Sequence, residues 1–332
     1  MTTQERVAAI VDHRFTERQA GFLVLVMLHG GVCVRRQYCT FAGIRAGQPM
    51  RDFFDKLVTR RYASTYPFGP NGAPLFHVHH KALYRAIGEP DSRYRRRGSV
   101  ARAVERLIVL DAVLATGSYV TWLATEHEKV AHCVHQRQVD VGDLPAITFR
   151  GEAGQTTRYF ADKLPLGVGS RGDDLVLLYV AADASGRTFR AFLERHERLL
   201  LRMRTWRVIV AIPRGLQDAE SIHQQVFTEF CAAPLRPAVL DEFRWFCAAR
   251  RTLERSAQSP GIDMVRYARA RRAFGAPRFF SAYRDWLQRG EPALLRLMSP
   301  ALHDARQRGM AAVETLAIPH LYGEAGALVR TA

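Results

Sequence analysis

Four aspartates, Asp162, Asp173, Asp174 and Asp183, set the hydrolytic chemistry open to this chain. A divalent ion that cleaves a phosphodiester needs at least two anionic oxygens on the metal and a cation beside the activated water. Asp162 closes a run of strand-forming residues, 157–162, and supplies one carboxylate. The next apolar run, 175–180, and the residue after it carry neither a second acid nor a lysine. Tyr179 and Ala181 stand there instead. A phenol with an ordinary pKa of about 10 stays neutral, and alanine offers no ligand. Cleavage is therefore not expected, and the sequence assigns no catalytic residue and no cofactor. The enzymatic alternative is a Mg2+-dependent DNA nuclease that draws on Asp173, Asp174 or Asp183 beside Asp162.

The other chemistry-bearing groups are weaker. His77, His79 and His80 read as surface or structural. Glu126, His127, Glu128 and Lys129 share one helix and read as a solvated face. Cys39 and Cys133 have no evident base partner. The glycine-rich stretch 167–172 lacks the Lys-Ser/Thr that would make it a phosphate loop and reads as a hairpin connection.

Cations offer a different chemistry. The chain of 332 residues holds 48 Lys+Arg against 32 Asp+Glu, a net charge of +16. Residues 1–110 hold 18 of those cations and 8 of the acids, a net +10. GC-rich coding explains an excess of arginine, but not its concentration in one third of the chain. A polyanion, double-stranded DNA first, is the expected partner.

The elements that would position these cations are legible. Thr16 caps a helix whose stripe is Phe22, Leu23, Val26 and Met27. A short helix over 35–42 faces Tyr38, Cys39 and Phe41 inward. After the turn 43–47, a third helix starts near Pro49, with Met50, Phe53, Phe54, Leu57 and Val58 as its apolar stripe. Strands over 62–66 and 75–78 flank 69–72, whose Asn-Gly is a strong hairpin signal. A helix over 80–87 closes the segment. Helix, helix–turn–helix and hairpin together make a winged helix. The second helix of such a pair lies in the major groove. Gln48, Arg51 and Lys56 would then face bases, with Arg60 and Arg61 at the helix end. Arg35 and Arg36 would hold phosphate, and Asn71 would sit at the wing tip. Arg93, Arg95, Arg96 and Arg97, interleaved with Tyr94, read as a backbone-tracking arm. Arg102 and Arg106 follow on the next helix.

Further on, helices over 100–114 and 120–136 precede strands over 146–150, 157–162 and 175–180, a helix over 188–203 and a strand over 206–212. From Asp218 onward the pattern is helical, with Phe243, Trp245, Phe246, Tyr267, Phe279, Tyr283 and Trp286 as an aromatic core. The expected fold is α+β: an N-terminal winged helix-turn-helix, a restriction-endonuclease-like α/β core and a helical C-terminal extension. Its boundaries are 1–90 for the winged helix, 91–116 for the basic linker and connecting helix, 117–215 for the α/β domain, and 216–332 for helices that pack on the core or form a dimer face.

The order helix, strand, strand, strand, helix, strand resembles the core of the PD-(D/E)xK nuclease superfamily. Across residues 12–215 the chain also resembles the replication-relaxation family of plasmids and integrative elements. The matching features are the helix start Thr16-Glu17-Arg18-Gln19, the winged helix ending Leu75-Phe76-His77-Val78, and the nuclease-like half. The resemblance implies a role in replication, mobilisation or transcription of a bacterial mobile element. Tyr179 and Ala181 depart from the nuclease pattern, so the leading expectation is a DNA-binding regulator or accessory factor. A protein-interaction module in a mobilisation or defence complex is the third reading.

Five scattered cysteines without C-x-x-C spacing argue for reduced thiols and a cytoplasmic protein. The longest apolar run, 22–28, is far too short to span a bilayer, so no membrane partner is expected. A homodimer is left open.

Overall fold

The computed structural model describes residues 1–68, 73–151, 154–170, 172–255 and 261–322. The chain is a mixed α/β protein that divides into two compact units: residues 1–224 together with the chain from 312, and residues 225–311. Among the described residues, no helix is long and apolar enough to cross a membrane.

The first helices begin on side-chain caps. Thr2 caps α1 (Thr3–Val11) and Thr16 caps α2 (Glu17–His29), each in a reciprocal box with the residue three positions on. The two-residue strand β1 (Val32–Cys33) leads to α3 (Arg35–Ala42), the turn through Gly43, and α4 (Gln48–Thr59). Then β2 (Ala63–Pro67) and β3 (Pro74–Val78) pair antiparallel, Tyr66 opposite Leu75, and β1 adds to the far edge of β3. The helix α5 (Lys81–Ala86) follows. Aromatic rings hold these pieces together, with Tyr38 and Phe53 at 4.4 Å and Phe54 and Phe76 at 4.2 Å between centroids. Phe41, expected inside, stays partly exposed against Phe22. Asn71 and its turn, 69–72, lie outside the described residues.

The segment expected to be a free basic arm is strapped down. Residues Arg93–Arg95 form a 3-10 turn. His77 Nε2 donates to the Tyr94 carbonyl at 2.8 Å, and Arg95 donates to the carbonyls of His79 and Pro90. The next helix, α6 (Val100–Thr116), is no mere connector. Leu110 packs into the core of the first helices, while Val104, Leu107, Ile108 and Val113 pack against the main sheet.

That sheet has the order β10-β9-β8-β7-β4. Its strands are β4 (Val120–Leu123), β7 (Leu166–Gly169), β8 (Asp174–Val180), β9 (Thr205–Pro213) and β10 (Ala311–Ile318). Three expectations are corrected here. The helix expected over 120–136 opens as β4, whose Val-Thr-Trp-Leu favours extended backbone; only α7 (Glu126–Ala131) is α-helical, followed by a π turn. The strands expected at 146–150 and 157–162 exist as β5 (Ala146–Gly151) and β6 (Gly154–Tyr159), but they form a separate two-stranded sheet. The supposed hairpin connection at 167–172 overlaps β7. The strands β4, β7 and β8 run antiparallel in turn, and α8 (Arg187–Leu200) carries the chain to β9, parallel to β8.

After α9 (Glu220–Phe230) the second unit is helical: α10 (Pro237–Arg255), α11 (Met264–Ala273), α12 (Pro277–Arg289), α13 (Glu291–Leu295) and α14 (Ala301–Gln307). Phe243, Phe274 and Phe279 form its centre, with ring centroids 4.9–5.0 Å apart. The expected helical extension is not helical to its end, because β10 returns to the sheet as an edge strand beside β9.

Candidate functional site

Two places gather charged and polar groups: the outer face of α4, and a cleft where α6 meets the loop before β7.

In α4 the apolar side, Met50, Phe53, Phe54 and Leu57, is buried, whereas Val58, expected with them, is exposed. Gln48, Arg51, Asp52 and Asp55 are exposed. The Gln48 amide donates to Asp52 at 2.5 Å, and Arg51 Nε donates to Gln48 at 3.2 Å. This face is close to neutral, so its neighbours must supply the attraction for a polyanion. Arg61, Arg96 and Arg97 are exposed, Arg97 stacked 4.4 Å from the Tyr66 ring centre on β2. Arg60 is exposed and donates to the His13 carbonyl. Lys56 donates to the Arg14 carbonyl and lies over Phe15, so it ties α4 to the start of α2. Arg35 is half-buried with its guanidinium over Phe76. Arg36 is turned inward: its Nη2 meets both Asp111 oxygens at 2.9 Å and also donates to Tyr322. Arg36 is thus occupied by α6 and the chain beyond β10, not presented to phosphate.

The aspartates do not converge. Asp162 lies just before β7, past the end of β6, and not on a strand as expected. Extending the β7–β8 register puts it level with Ala181. Asp174 begins β8, about 23 Å away along the strand at 3.3 Å per residue. It is held by Arg207 Nε at 2.9 Å, and its exposed neighbour Asp173 lies 3.9 Å from Arg137. Asp183 shares the end of the sheet with Asp162, but it caps a turn. It accepts from Ser185 and Thr188, and although burial acts to raise its pKa, those bonds hold it down at about 2. The alternate-ligand set is therefore corrected: Asp173 and Asp174 cannot join Asp162 on one ion.

The strand positions are corrected as well. Tyr179 faces α8, packed on Phe189 and Phe192, with its hydroxyl 2.6 Å from Thr188 Oγ1. The side of β8 that packs with α6 carries Val176, Leu178 and Val180. The one acid of β8 on that side is Asp174 at its first position, and Arg207 already holds it. Among the described residues, no group of three or more His, Cys, Asp or Glu is placed to hold a metal.

What Asp162 does meet is Glu105, which sequence reasoning missed. A cleft of about 310 Å³ is lined by Glu105, Arg102 and Arg106 from α6, by Arg93 and Tyr94, and by Asp162 and Lys163. Four cations and two carboxylates give it a positive balance, which disfavours a divalent cation. Burial raises the Glu105 pKa against the pull of Arg106, Arg102 and Lys163. Burial also lowers that of Lys163, helped by Arg93, Arg106 and Arg102. Behind the loop, His196 donates through Nδ1 to the Phe192 carbonyl, and its Nε2 sits 3.5 Å from Asp162. Lys129, expected on a solvated face, is buried. Its Nζ donates to the Leu164 carbonyl at 2.7 Å, and burial brings its pKa to about 8 despite nearby Asp162. Arg102 and Arg106 were visible as helix cations. Their meeting with Lys163 depends on a long chain closure that no local spacing encodes.

Comparison with known proteins returns no matching family model, no curated protein of similar sequence and no solved structure of similar fold.

Proposed function

We propose that the protein binds duplex DNA through a winged helix formed by α3, α4 and the β2–β3 hairpin. In this reading its second half is a restriction-endonuclease-like framework that grips without cutting. The observation that carries the reading is the exposed face of α4, which offers Gln48 and Arg51 while its opposite face is buried. Arg51 suits a guanine edge and Gln48 an adenine edge. Arg61, Arg96 and Arg97 supply phosphate contacts. Support for the framework comes from the order α6, β4, β7, β8, α8, β9, with one helix, three antiparallel strands and a helical crossover to a parallel strand. At the Asp162 end of β8 the α6 side carries Leu178 and Val180 and no acid, which argues for binding without hydrolysis. Taken with the resemblance to replication-relaxation proteins, the role is that of a cytoplasmic regulator or accessory factor of a bacterial mobile element.

The test titrates the full chain against labelled duplexes between 50 and 200 mM salt. Neutralising about six phosphates would cost roughly a thousandfold in affinity over that range. Arg51→Ala should cost about 1–3 kcal/mol on a preferred site and little on random duplex, whereas Arg61→Ala weakens both alike. With Mg2+ or Mn2+ present the plasmid stays intact. Salt-independent binding would sink the proposed contact, and metal-dependent nicking that vanishes in Asp162→Ala would make the protein a nuclease.

A further inference from the structure

The cleft at Glu105 and Asp162 has a feature that the duplex reading does not use. Its four cations outnumber its two carboxylates, Glu105 and Asp162. Arg93, Arg102 and Lys163 are exposed around it, and Arg106 is half-buried with its guanidinium 5.1 Å from the Tyr94 ring centre. Among the described residues none of the four forms a salt bridge within 4 Å, although ion pairs occupy Arg36, Arg137, Arg198, Arg202 and Arg207 elsewhere in the same unit. An excess of like charge without close ion pairs is repulsive, and a bound anion relieves that repulsion. The loop that delivers Lys163 is itself unusual: Phe160 and Lys163 both hold left-handed backbone, φ 49° and 60°. Such conformations disfavour side chains with a Cβ and are held by their surroundings.

A second cavity of about 540 Å³ adjoins the first, and the two share Arg93, Tyr94, Ala161 and Lys163. Its lining adds apolar and aromatic side chains to charged ones, among them Glu89, Asp91, Glu126 and Arg158. Ile147 and Phe149, on one face of β5, are 41% and 52% exposed and line it together with Tyr159 and Phe160. An aromatic wall next to a cationic cleft suits a base beside its phosphate.

We propose that the paired cavities bind a nucleotide without metal, its phosphate among Arg93, Arg102, Arg106 and Lys163 and its base against Phe149 and Tyr159. The nucleotide is either free or the phosphorylated end of a strand, since both present the same group. This site is separate from the face of α4 and does not depend on the duplex reading.

Calorimetry of the full chain in EDTA tests it with AMP, inorganic phosphate, and a short single strand with and without a 5′-phosphate. AMP is expected to bind saturably and more tightly than inorganic phosphate, because the aromatic wall adds contact. Preference for the phosphorylated strand over the bare one assigns the site to strand ends; equal weak binding of both strands beside tight AMP assigns it to free nucleotide. The double variant Arg102→Ala/Lys163→Ala changes two exposed residues, so the fold is retained. It should lose at least tenfold in AMP affinity, and Phe149→Ala should lose several-fold for AMP but not for inorganic phosphate. Arg51→Ala should leave AMP binding unchanged, which separates this site from the duplex contact. No saturable binding of any phosphate probe, or AMP affinity unmoved in the double variant, overturns the proposal.

Discussion

Arg36 shows how little a residue's type says about its use. Its guanidinium lies between Asp111 of α6 and Tyr322, and Gln37 reaches the same carboxylate and the Leu107 carbonyl. Asp111 is buried, so removing its cation strands a charge. Arg36→Ala should therefore lower stability by roughly 2–3 kcal/mol, the low side for a buried pair because Arg36 is partly exposed. Chemical denaturation measures the loss. Duplex affinity at a temperature where the variant stays folded should be unchanged; a uniform fall in affinity would return Arg36 to the DNA contact. His29 carries a different signature. Burial, with Lys129 nearby, lowers its pKa from 6.5 to about 3. Between those values the unfolded chain binds a proton that the folded chain refuses. Stability is therefore full above pH 6.5 and falls as the pH drops towards 3, by up to about 1.4 kcal/mol per pH unit from this residue. His29→Leu should flatten that part of the stability–pH curve, and an unchanged slope would show that His29 does not contribute it.

At the scale of elements, the first third of the chain was readable because its signals are local. The cap at Thr16, the bounds of α3 and the proline at the start of α4 each depend on neighbouring residues alone. The strand β3 forms as expected but does not alternate, since Leu75, Phe76, His77 and Val78 are all buried. The sheet was less readable, since β4 and β7 have only four residues each and their reasons lie across the sheet. Gly167 and Gly169 make β7 look like a turn. Yet a Cβ at Gly167 would come within 2.4 Å of Val120 and 2.8 Å of Trp122 on the paired strand β4. The glycine is there for close approach, not for a bend. Gly167→Ala should cost about 1–3 kcal/mol through overpacking, read as a lower denaturation midpoint. Truncating the opposing side chain in Gly167→Ala/Val120→Ala should recover part of it; a neutral single variant would mean that β4 does not press on β7. For the cleft, the sequence offered Asp162 and the helix cations but not Glu105 as their companion. Sequence spacing links residues on one element, and this cleft is built from four segments, with His29 of α2 as the fourth.

For the whole molecule, the separate domains expected at 1–90 and 117–215 fall within one compact unit, through which α6 runs with a core on either side. Fragments cut inside α6 would expose both cores, which is why the binding tests use the full chain. The order of the sheet carries one more consequence. On the ribosome β9 emerges long before its neighbour β10, and the whole helical unit 225–311 is made in between. Throughout that interval one border of the nascent sheet offers unpaired N–H and C=O groups, the kind of edge that recruits stray strands. Closing so distant a pairing is also kinetically slow. Synthesis speed through the helical unit thus sets how long the growing chain is open to mispairing, and chaperone demand should peak there.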